Sequence, residues 1–244
     1  MTKYAIISDI HSNLEALEAV AADIEKQGVD RLVCCGDLVG YGANPSHCME
    51  RFRELGASYG QAPLILGNHD QAAITGKTYG FNQEAAAAAK WTHQRLSSTN
   101  LRRLARSMLK WSENNLLFTH ASPSYPGEWN YLWTPDQAEL EFDSFSEQIC
   151  FVGHIHRPYF YIHGTEQFVN QNDLFVPPNV RCMVNAGSVG QPRDGDPRAS
   201  YCIYDEGEHL LKIRRVEYDF TLTATKIIQA GLPKVLAERL AYGY

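Results

Sequence analysis

The sequence YAIISDIH at residues 4–11 is a short apolar run that predicts a buried β-strand, with Asp9 and His11 placed where the strand ends. Four further apolar runs, at residues 32–35, 64–66, 116–118 and 149–152, are followed in the same way by polar groups. These groups are, in order, GD at 36–37, GNHD at 67–70, His120 and GHIH at 153–156. Because neighbouring strands end along a common edge, we expect these groups to converge in space although they are far apart in sequence.

The first 66 residues alternate predicted strands with predicted helices. Ser12 and Glu15 match a capping box that would begin the first helix, and a second helix is expected over about residues 46–55. This rhythm predicts an α/β protein with a parallel core covered by helices. The part after His156 favours an antiparallel or mixed sheet followed by two helices. Its β runs lie at residues 159–163, 182–184, 201–204 and 210–216, and its helices at about 222–229 and 234–242.

We expect residues 1–244 to form a single domain, since the chain has no internal repeat and no low-complexity linker. Two stretches interrupt the strands. Residues 71–112 are expected to form a helical insertion, because this stretch contains five consecutive alanines, the strongest helix formers. Residues 121–147 are expected to form an aromatic loop followed by a helix. The alternating aromatic residues at 129–133 would either pack this insertion or stack a nucleobase.

Composition and charge narrow the classes of function. Apolar residues make up 44% and charged residues 20% of the 244 residues, which is typical of a globular protein with a sizeable core. The net charge of −6 and the lack of a Lys/Arg block argue against binding of long nucleic acids. No apolar stretch approaches the roughly 20 residues of a membrane span, and no secretory-signal pattern is present. We therefore expect a cytoplasmic protein without a membrane partner. Six cysteines without CxxC spacing are expected to be buried thiols.

The five strings supply two carboxylates, one amide and four imidazoles as candidate metal ligands. The seven residues are Asp9, His11, Asp37, Asn68, His120, His154 and His156. Asp9 and His11 can face one metal ion as their strand ends, and His156 can return to that ion. Asn68, His120 and His154 can hold a second ion. Asp37 is the natural bridge, because a shared carboxylate lets two cations sit roughly 3.5–4 Å apart. Mixed nitrogen and oxygen ligands favour Mn, Fe, Zn, Co or Ni over Mg or Ca.

Two such ions would favour phosphate-ester chemistry. Two divalent cations, two aspartates and a bridging hydroxide leave a small positive charge, which attracts a phosphodiester anion and stabilises its transition state. We expect the bridging hydroxide to attack phosphorus, because coordination lowers the pKa of water towards neutrality. With Asn68 coordinating, His69 would point towards the leaving-group oxygen and act as a general acid. Asp70 would fix the tautomer of His69 and raise its pKa.

Four further residues are candidate substrate contacts. Tyr41 and Asn44 follow Asp37 closely and could line the pocket, although a turn that packs on itself explains them equally well. Arg193 and Arg198 flank a loop rich in Gly, Asp and Pro. A guanidinium there could bind a phosphate through two hydrogen bonds. The alternative is that these arginines are solvent-exposed charges of the loop without a ligand.

The five strings together resemble the motifs of the calcineurin-like metallophosphoesterases, and the likeness covers Asp9 to His156 directly. The string NAGSVGQPRD at residues 185–194 is similar to the glycine-rich block found late in bacterial members. The resemblance implies a four-layer αββα sandwich, with helices outside two packed mixed sheets and the metals at one edge. It also implies His69 and Asp70 as the catalytic pair. The implied ligand sets are Asp9, His11, Asp37 and His156 for one metal, and Asp37, Asn68, His120 and His154 for the other.

Two departures from the family motifs indicate which branch of the family this sequence resembles. Protein Ser/Thr phosphatases of this family carry GDxVDRG and GNHE, whereas residues 36–42 read GDLVGYG here and the third string ends in Asp70. These differences argue against protein phosphatase activity. They favour the bacterial and archaeal phosphodiesterase-like branch.

Three functions therefore stay open at the level of sequence. The leading hypothesis is a metal-dependent phosphoesterase that cleaves phosphodiesters of small molecules such as nucleotides, with monoesters as a further option. A nuclease or a dinucleoside-polyphosphate hydrolase would use the same two-metal site. The third is a non-catalytic scaffold of the same fold, which the complete set of ligands argues against. The sequence leaves the physiological ester, the native metals and the oligomeric state undecided.

Overall fold

The computed structural model describes residues 1–169 and 171–244, in which ten β-strands and eight α-helices form. The strands are β1 (Lys3–Ile7), β2 (Arg31–Cys34), β3 (Lys110–Glu113), β4 (Leu116–Thr119), β5 (Ile149–Val152), β6 (Tyr159–Ile162), β7 (Asp173–Phe175), β8 (Cys182–Asn185), β9 (Ala199–Asp205) and β10 (Leu210–Val216). The α-helices are α1 (Leu14–Gln27), α2 (Pro45–Ala57), α3 (Asn68–Thr75), α4 (Gln83–Arg95), α5 (Ser98–Leu104), α6 (Pro135–Leu140), α7 (Phe220–Gln229) and α8 (Val235–Glu238). Short 3₁₀-helices at Glu141–Ser144 and Arg239–Ala241 follow α6 and α8.

The ten strands form two mixed sheets of five strands each. The first sheet has the order β2-β1-β9-β10-β7, in which β1 and β2 are parallel and the other neighbours are antiparallel. The second sheet has the order β3-β4-β5-β8-β6, in which β4, β5 and β8 are parallel and the two outer strands are antiparallel. Helix α1 is the crossover between the parallel strands β1 and β2, as the alternating rhythm predicts.

The side chains of β1 alternate between two apolar cores, as in any strand that is buried on both faces. Tyr4 and Ile6 pack in one core with Phe118 of the second sheet, so the two sheets face each other. Ala5 and Ile7 belong to the other core, which contains residues of α1 and α2. On the far side of the second sheet, α6 covers a third apolar core. The order of layers is helix, sheet, sheet, helix, and the predicted αββα sandwich is confirmed.

The predicted metal ligands lie directly after strands of both sheets. In the first sheet, Asp9 and His11 follow β1, and Asp37 follows β2. In the second sheet, His120 follows β4, and His154 follows β5. The stacking of the two sheets therefore decides whether these loops meet, because no single sheet carries all of the predicted ligands.

Several elements differ from their predictions. Residues 64–66 are not one of the ten strands, since Leu64 and Ile65 form isolated parallel bridges to Cys34 and Met108. Strand β3 occupies the end of the stretch predicted as a helical insertion, and β7 has no counterpart among the predicted strands. The single domain over 1–244, with insertions at 71–112 and 121–147, stays a prediction.

Helix α1 begins one residue later than the predicted capping box would place it. The Oδ1 atom of Asn13 accepts a hydrogen bond from the backbone N–H of Ala16 at 3.1 Å, so Asn13 caps the helix. The Ser12 side chain instead accepts a hydrogen bond from the loop after β2, and Glu15 pairs with Lys226. The predicted box of Ser12 and Glu15 is therefore wrong, because both side chains have tertiary partners.

The six cysteines are buried with free thiols. Burial raises the pKa of the Cys34, Cys35 and Cys150 thiols well above the usual value, so these groups behave as small apolar side chains. Among the described residues, no helix combines the length and the apolar character needed to cross a membrane.

Candidate metal centre

The first of two clusters of ligand atoms is formed by the segments after β1 and β5. The Nε2 atoms of His11 and His156 lie 3.0 Å apart. The Oδ1 atom of Asp9 lies 3.1 Å from His156 Nε2 and 3.6 Å from His11 Nε2. All three side chains are buried. Two imidazole nitrogens and a carboxylate oxygen at these distances have the composition of a transition-metal site.

The second cluster joins the segments after β4 and β5 to the first residue of α3. The Nε2 atom of His120 lies 3.2 Å from Nδ1 of His154 and 3.3 Å from Oδ1 of Asn68. Both histidines are buried. This cluster therefore offers two nitrogens and a neutral amide oxygen to a cation.

Asp37 links the two clusters. Its Oδ2 atom lies 3.6 Å from His11 Nε2 in the first cluster and 3.4 Å from His120 Nε2 in the second. Its Oδ1 atom accepts a hydrogen bond from the backbone N–H of His69 at 2.8 Å, which holds the carboxylate in place. One carboxylate oxygen is thus close to both clusters, as the bridging role predicted for Asp37 requires.

Each of the four imidazoles has one ring nitrogen bound to a backbone carbonyl. The contacts are His11 Nδ1 to Val39 O at 3.3 Å, His120 Nδ1 to Cys35 O at 2.7 Å, His154 Nε2 to Trp129 O at 3.0 Å and His156 Nδ1 to Gln191 O at 2.7 Å. Because a carbonyl only accepts, this nitrogen carries the proton, and the other nitrogen of a neutral ring directs its lone pair into a cluster. Metal-ligating histidines are commonly oriented in this way.

The unmatched atoms of the clusters fit a divalent cation. The Oδ1 atom of Asp9 is buried and has no hydrogen-bond partner among the described residues. The lone pairs of His11 Nε2 and His156 Nε2 approach to 3.0 Å, which is repulsive while both rings are neutral. A cation held by these atoms would satisfy the oxygen and both nitrogens together. Calcium or magnesium would find too few oxygens here, so the donors favour a transition metal.

Backbone strain is concentrated at the predicted ligands. Five of the seven have φ angles between 50° and 70°, namely Asp9, His11, Asp37, His154 and His156. Residues other than glycine rarely adopt this left-handed conformation, which costs about 1–3 kcal/mol each. Hydrogen bonds between loops hold these angles, such as the bond from the Asp9 N–H to the Gly36 carbonyl at 2.9 Å. Strain of this kind is typical of functional sites, where the direction of a side chain is kept at a cost in backbone conformational energy.

His69 differs from the four predicted ligand histidines. Its Nδ1 atom is buried and lacks a hydrogen-bond partner in the part of the chain that the structure describes. Its ring packs on the rings of His11, Tyr41 and Phe81, with centroid distances of 4.9, 4.3 and 4.6 Å. Burial lowers the pKa of His69 well below its usual value, and the charge of Asp37 opposes this only in part. His69 is therefore a neutral imidazole beside both clusters.

The predicted contact between Asp70 and the His69 ring is wrong. The Asp70 carboxylate instead accepts hydrogen bonds from the backbone N–H groups of Leu38 at 3.3 Å, Val39 at 3.0 Å and Gly67 at 3.2 Å. Burial and the charge of Asp37 raise the pKa of Asp70 to about 7, while these N–H groups oppose that rise. Asp70 therefore holds the loop that carries Asp37, and the predicted increase in the pKa of His69 is absent.

Two of the four predicted substrate contacts lie beside the clusters. The Tyr41 ring lies 4.6 Å from the His11 ring and 4.3 Å from the His69 ring, measured between centroids. The Nη2 atom of Arg193 donates a hydrogen bond to the Tyr41 hydroxyl at 3.2 Å. Arg239 joins them, with its guanidinium carbon 5.6 Å from the centre of the Tyr41 ring. No motif marks Arg239 in the sequence, because it reaches the site only through the packing of α7 and α8 against Tyr41.

The structure does not bring Arg198 or Asn44 to the clusters. The exposed guanidinium of Arg198 pairs with Asp196, two residues earlier, at 2.6 Å. Asn44 precedes α2, and its backbone N–H donates to the carbonyl of Ser12 at 3.1 Å. Arg198 therefore has a local partner, whereas the Asn44 side chain does not cap α2.

The aromatic segment packs on the second cluster. The Tyr131 ring stacks on the His154 ring with a centroid distance of 4.2 Å, and the Trp133 ring stacks on Tyr131 at 5.3 Å. Trp129 supplies the carbonyl that accepts from His154, and its indole N–H donates to Gln71 at 3.1 Å. These contacts position His154, so the segment supports a predicted ligand.

The charge of the second cluster would make the binding of a metal ion there depend on pH. Burial alone would lower the pKa of His120, but the carboxylates of Asp37 and Asp9 outweigh it and raise this pKa to about 9. Below pH 9 a metal must displace the proton, so we expect the apparent Mn²⁺ affinity to fall as the pH is lowered. At pH 7.5 His120 should contribute about one proton to those released on binding, besides any proton released by a coordinated water. Calorimetry in two buffers of different ionisation enthalpy measures this number, and binding without proton release would contradict it.

The fold and the two clusters define a phosphoesterase of the calcineurin-like class, and comparison with known proteins shows the family. The chain belongs to the calcineurin-like phosphoesterase superfamily, whose domain profile matches residues 2–209. The family predicted from the five strings is thereby confirmed. Members of this superfamily use divalent metal ions, and this chain has His/Asp clusters that can hold them.

Individual relatives extend this likeness over the whole chain. An uncharacterized protein of Methanocaldococcus jannaschii is 39% identical over 244 residues, which cover 98% of this chain and 97% of that protein. The crystal structure of a metallophosphoesterase from Sphaerobacter thermophilus is similar with 37% identity and a TM-score of 0.88, covering 100% of this chain and 99% of that one. A hypothetical protein from Pyrococcus horikoshii OT3 shares the fold with a TM-score of 0.83 at 18% identity, over 100% and 99% of the chains.

Proposed function

We propose that this protein is a metal-dependent phosphoesterase that hydrolyses phosphodiesters of small molecules, with phosphomonoesters as further substrates. The observation that carries the proposal is the position of Asp37 Oδ2, 3.6 Å from His11 Nε2 and 3.4 Å from His120 Nε2. Two metal ions such as Mn, Fe, Zn, Ni or Co would share this carboxylate. One ion would be held by Asp9, His11, Asp37 and His156, and the other by Asp37, Asn68, His120 and His154.

The bound ions would activate water and offset the negative charge of the phosphate. The groups of the chain keep the site ready for this chemistry. The four carbonyl contacts hold the imidazoles in the tautomer that can bind a metal. His69 lies beside both clusters, where a phosphate anion would raise its pKa and allow it to give a proton to the leaving group.

Metal removal tests this function. We expect the purified protein to hydrolyse bis(p-nitrophenyl) phosphate with added Mn²⁺, to lose the activity to a chelator, and to recover it when Mn²⁺ is restored. His47→Gln is a suitable control, because His47 is exposed and its loss should change nothing. Hydrolysis that persists without metal would contradict the proposal. Full metal content without hydrolysis would favour the non-catalytic scaffold.

Leaving groups of graded basicity test His69. A general acid matters most when the departing oxygen is basic, and its loss typically costs about 10²–10⁴-fold in rate. We therefore expect His69→Ala to hydrolyse poor leaving groups far more slowly than wild type, while p-nitrophenyl esters lose much less. The measurement is the slope of log rate against leaving-group pKa, which should become steeper in the variant. Equal losses across the series would remove His69 from the acid role.

A further inference from the structure

Two arginine side chains meet beside the proposed metal centre. Arg193 lies in the loop between β8 and β9, and Arg239 is the first residue of the 3₁₀-helix after α8. Their guanidinium carbons each lie 5.6 Å from the centre of the Tyr41 ring. Both guanidiniums donate to one acceptor, Oε1 of Gln191, at 2.8 Å from Arg193 and 3.2 Å from Arg239.

Neither guanidinium has a carboxylate within ion-pair distance in residues 1–169 and 171–244, and their side-chain acceptors are a neutral amide and a phenol. Each arginine has an acidic neighbour in the sequence that is paired with another cation. Asp194 pairs with Arg215, and Glu238 pairs with Lys234 at 2.8 Å. The fold therefore holds two like charges together and turns the adjacent acids away from them.

Such a pair is electrostatically costly unless an anion joins it. The two charges repel, and partial burial weakens their screening by water. Burial and the charge of Arg193 both lower the pKa of Arg239, and Tyr41 and the Glu84 carboxylate, which lies beyond ion-pair distance, oppose this only in part. The Nε atom of Arg193 is buried and lacks a hydrogen-bond partner among the described residues. An oxyanion would offset the repulsion and supply acceptors, and phosphate suits the planar guanidinium fork particularly well.

The arginine pair is connected to the proposed metal centre by two residues. The Tyr41 ring packs on the His69 ring at 4.3 Å, and its hydroxyl accepts a hydrogen bond from Arg193. The carbonyl of Gln191 accepts from His156 Nδ1 at 2.7 Å, while its side chain accepts from both arginines. The arginine pair is therefore separated from the clusters by a single side chain on each of these two routes.

We propose that Arg193 and Arg239 bind a second, non-scissile phosphate of the substrate. This inference rests on the proposed phosphoesterase function and names its substrate class, which is phosphoesters that carry another phosphate, such as nucleoside bisphosphates. The alternative is that the two arginines contact the scissile phosphate itself. The two assignments differ in their effect on substrates with one phosphate.

Anion binding tests the pair without any turnover. Inorganic phosphate is titrated calorimetrically into the full-length, metal-free chain of wild type, Arg193→Met and Arg239→Met, since methionine keeps much of the apolar stem. We expect each variant to bind phosphate at least about tenfold more weakly, because each removes a charge-assisted contact. Arg239→Lys should bind better than Arg239→Met. Arg106→Met removes an exposed arginine elsewhere and should match wild type. Equal affinities in wild type and both variants would overturn the proposal.

A matched pair of substrates tests the substrate class. Thymidine 5′-(p-nitrophenyl phosphate) is compared with the same ester carrying a 3′-phosphate, so that the leaving group is identical. In the metal-loaded enzyme we expect the 3′-phosphate to raise kcat/KM, and Arg239→Met to lower that preference at least about tenfold through KM. An equal loss on both esters would overturn the assignment to a second phosphate. If wild type hydrolyses neither ester, the proposed function fails, while the phosphate titration still decides the anion site.

Discussion

Asp37→Asn is expected to lower phosphodiester hydrolysis by about three orders of magnitude while the chain stays folded. The amide keeps an oxygen that can accept the hydrogen bond from the His69 N–H, which Asp37 Oδ1 accepts at 2.8 Å. It removes the negative charge that lies within 3.6 Å of His11 Nε2 and 3.4 Å of His120 Nε2. Two cations sharing this position would then repel each other without a common counter-charge. Turnover of bis(p-nitrophenyl) phosphate and metal content per chain are the measurements.

Asp173→Asn is the matched control for this change. Asp173 is an exposed residue of β7 that forms an ion pair with Lys212 at 3.8 Å, so the same loss of charge should leave turnover and metal content unchanged. Asp37→Asn protein that keeps its metals and most of its rate would show that the shared carboxylate is dispensable. That outcome would contradict the bridging role.

Gly67→Ala is expected to abolish activity and to destabilise the fold by about 1–3 kcal/mol or more. A Cβ atom at residue 67 would lie 2.0 Å from Asp37 Oδ1 and 2.4 Å from the Asp37 backbone nitrogen. Neither atom can yield easily, because Asp37 has a φ of 51° and its loop is held by Asp70. The alanine must therefore displace the carboxylate that both clusters share.

Gly127→Ala provides the comparison for Gly67→Ala. The nearest atom to a new Cβ there is Leu109 Cδ1 at 3.8 Å, which is an ordinary contact. This variant should keep the wild-type melting temperature and rate. If thermal unfolding and turnover show Gly67→Ala to be equally harmless, the packing described around Asp37 is wrong.

The sequence sufficed to single out the candidate ligands, because their local chemistry marks them. Asp9, Asp37, His120 and His154 each follow an apolar strand, and their residue types already suggest metal binding. The layers were predictable only through the likeness to a known family. The alternation of predicted strands and helices does not by itself show that Tyr4 and Phe118 lie in different sheets and pack against each other.

Residues whose partners are distant in sequence could not be predicted in this way. Asp70 follows His69 directly, yet its carboxylate bonds to backbone N–H groups that include those of Leu38 and Val39. Arg239 reaches Tyr41 through helix packing at the end of the chain, and nothing in its own neighbourhood shows this. Such contacts depend on how complete elements pack, which the spacing of a motif does not encode.

The left-handed backbone at the candidate ligands is a further feature that the sequence does not indicate. Strained φ angles at Asp9, His11 and His154 occur at residues that are not glycine, so no local preference indicates them. The glycines beside them are more informative, since Gly67 leaves room for Asp37 and Gly153 leaves room for Asp9. Motif glycines here mark close approaches between chain segments.

Anomalous X-ray scattering from crystals grown with Mn²⁺ tests the central claim most directly. We predict two peaks on either side of the Asp37 carboxylate, one contacting His11 and His156 and the other contacting His120 and His154. Crystals without a peak at these residues, or with a single ion that leaves Asp37 uncoordinated, would contradict it.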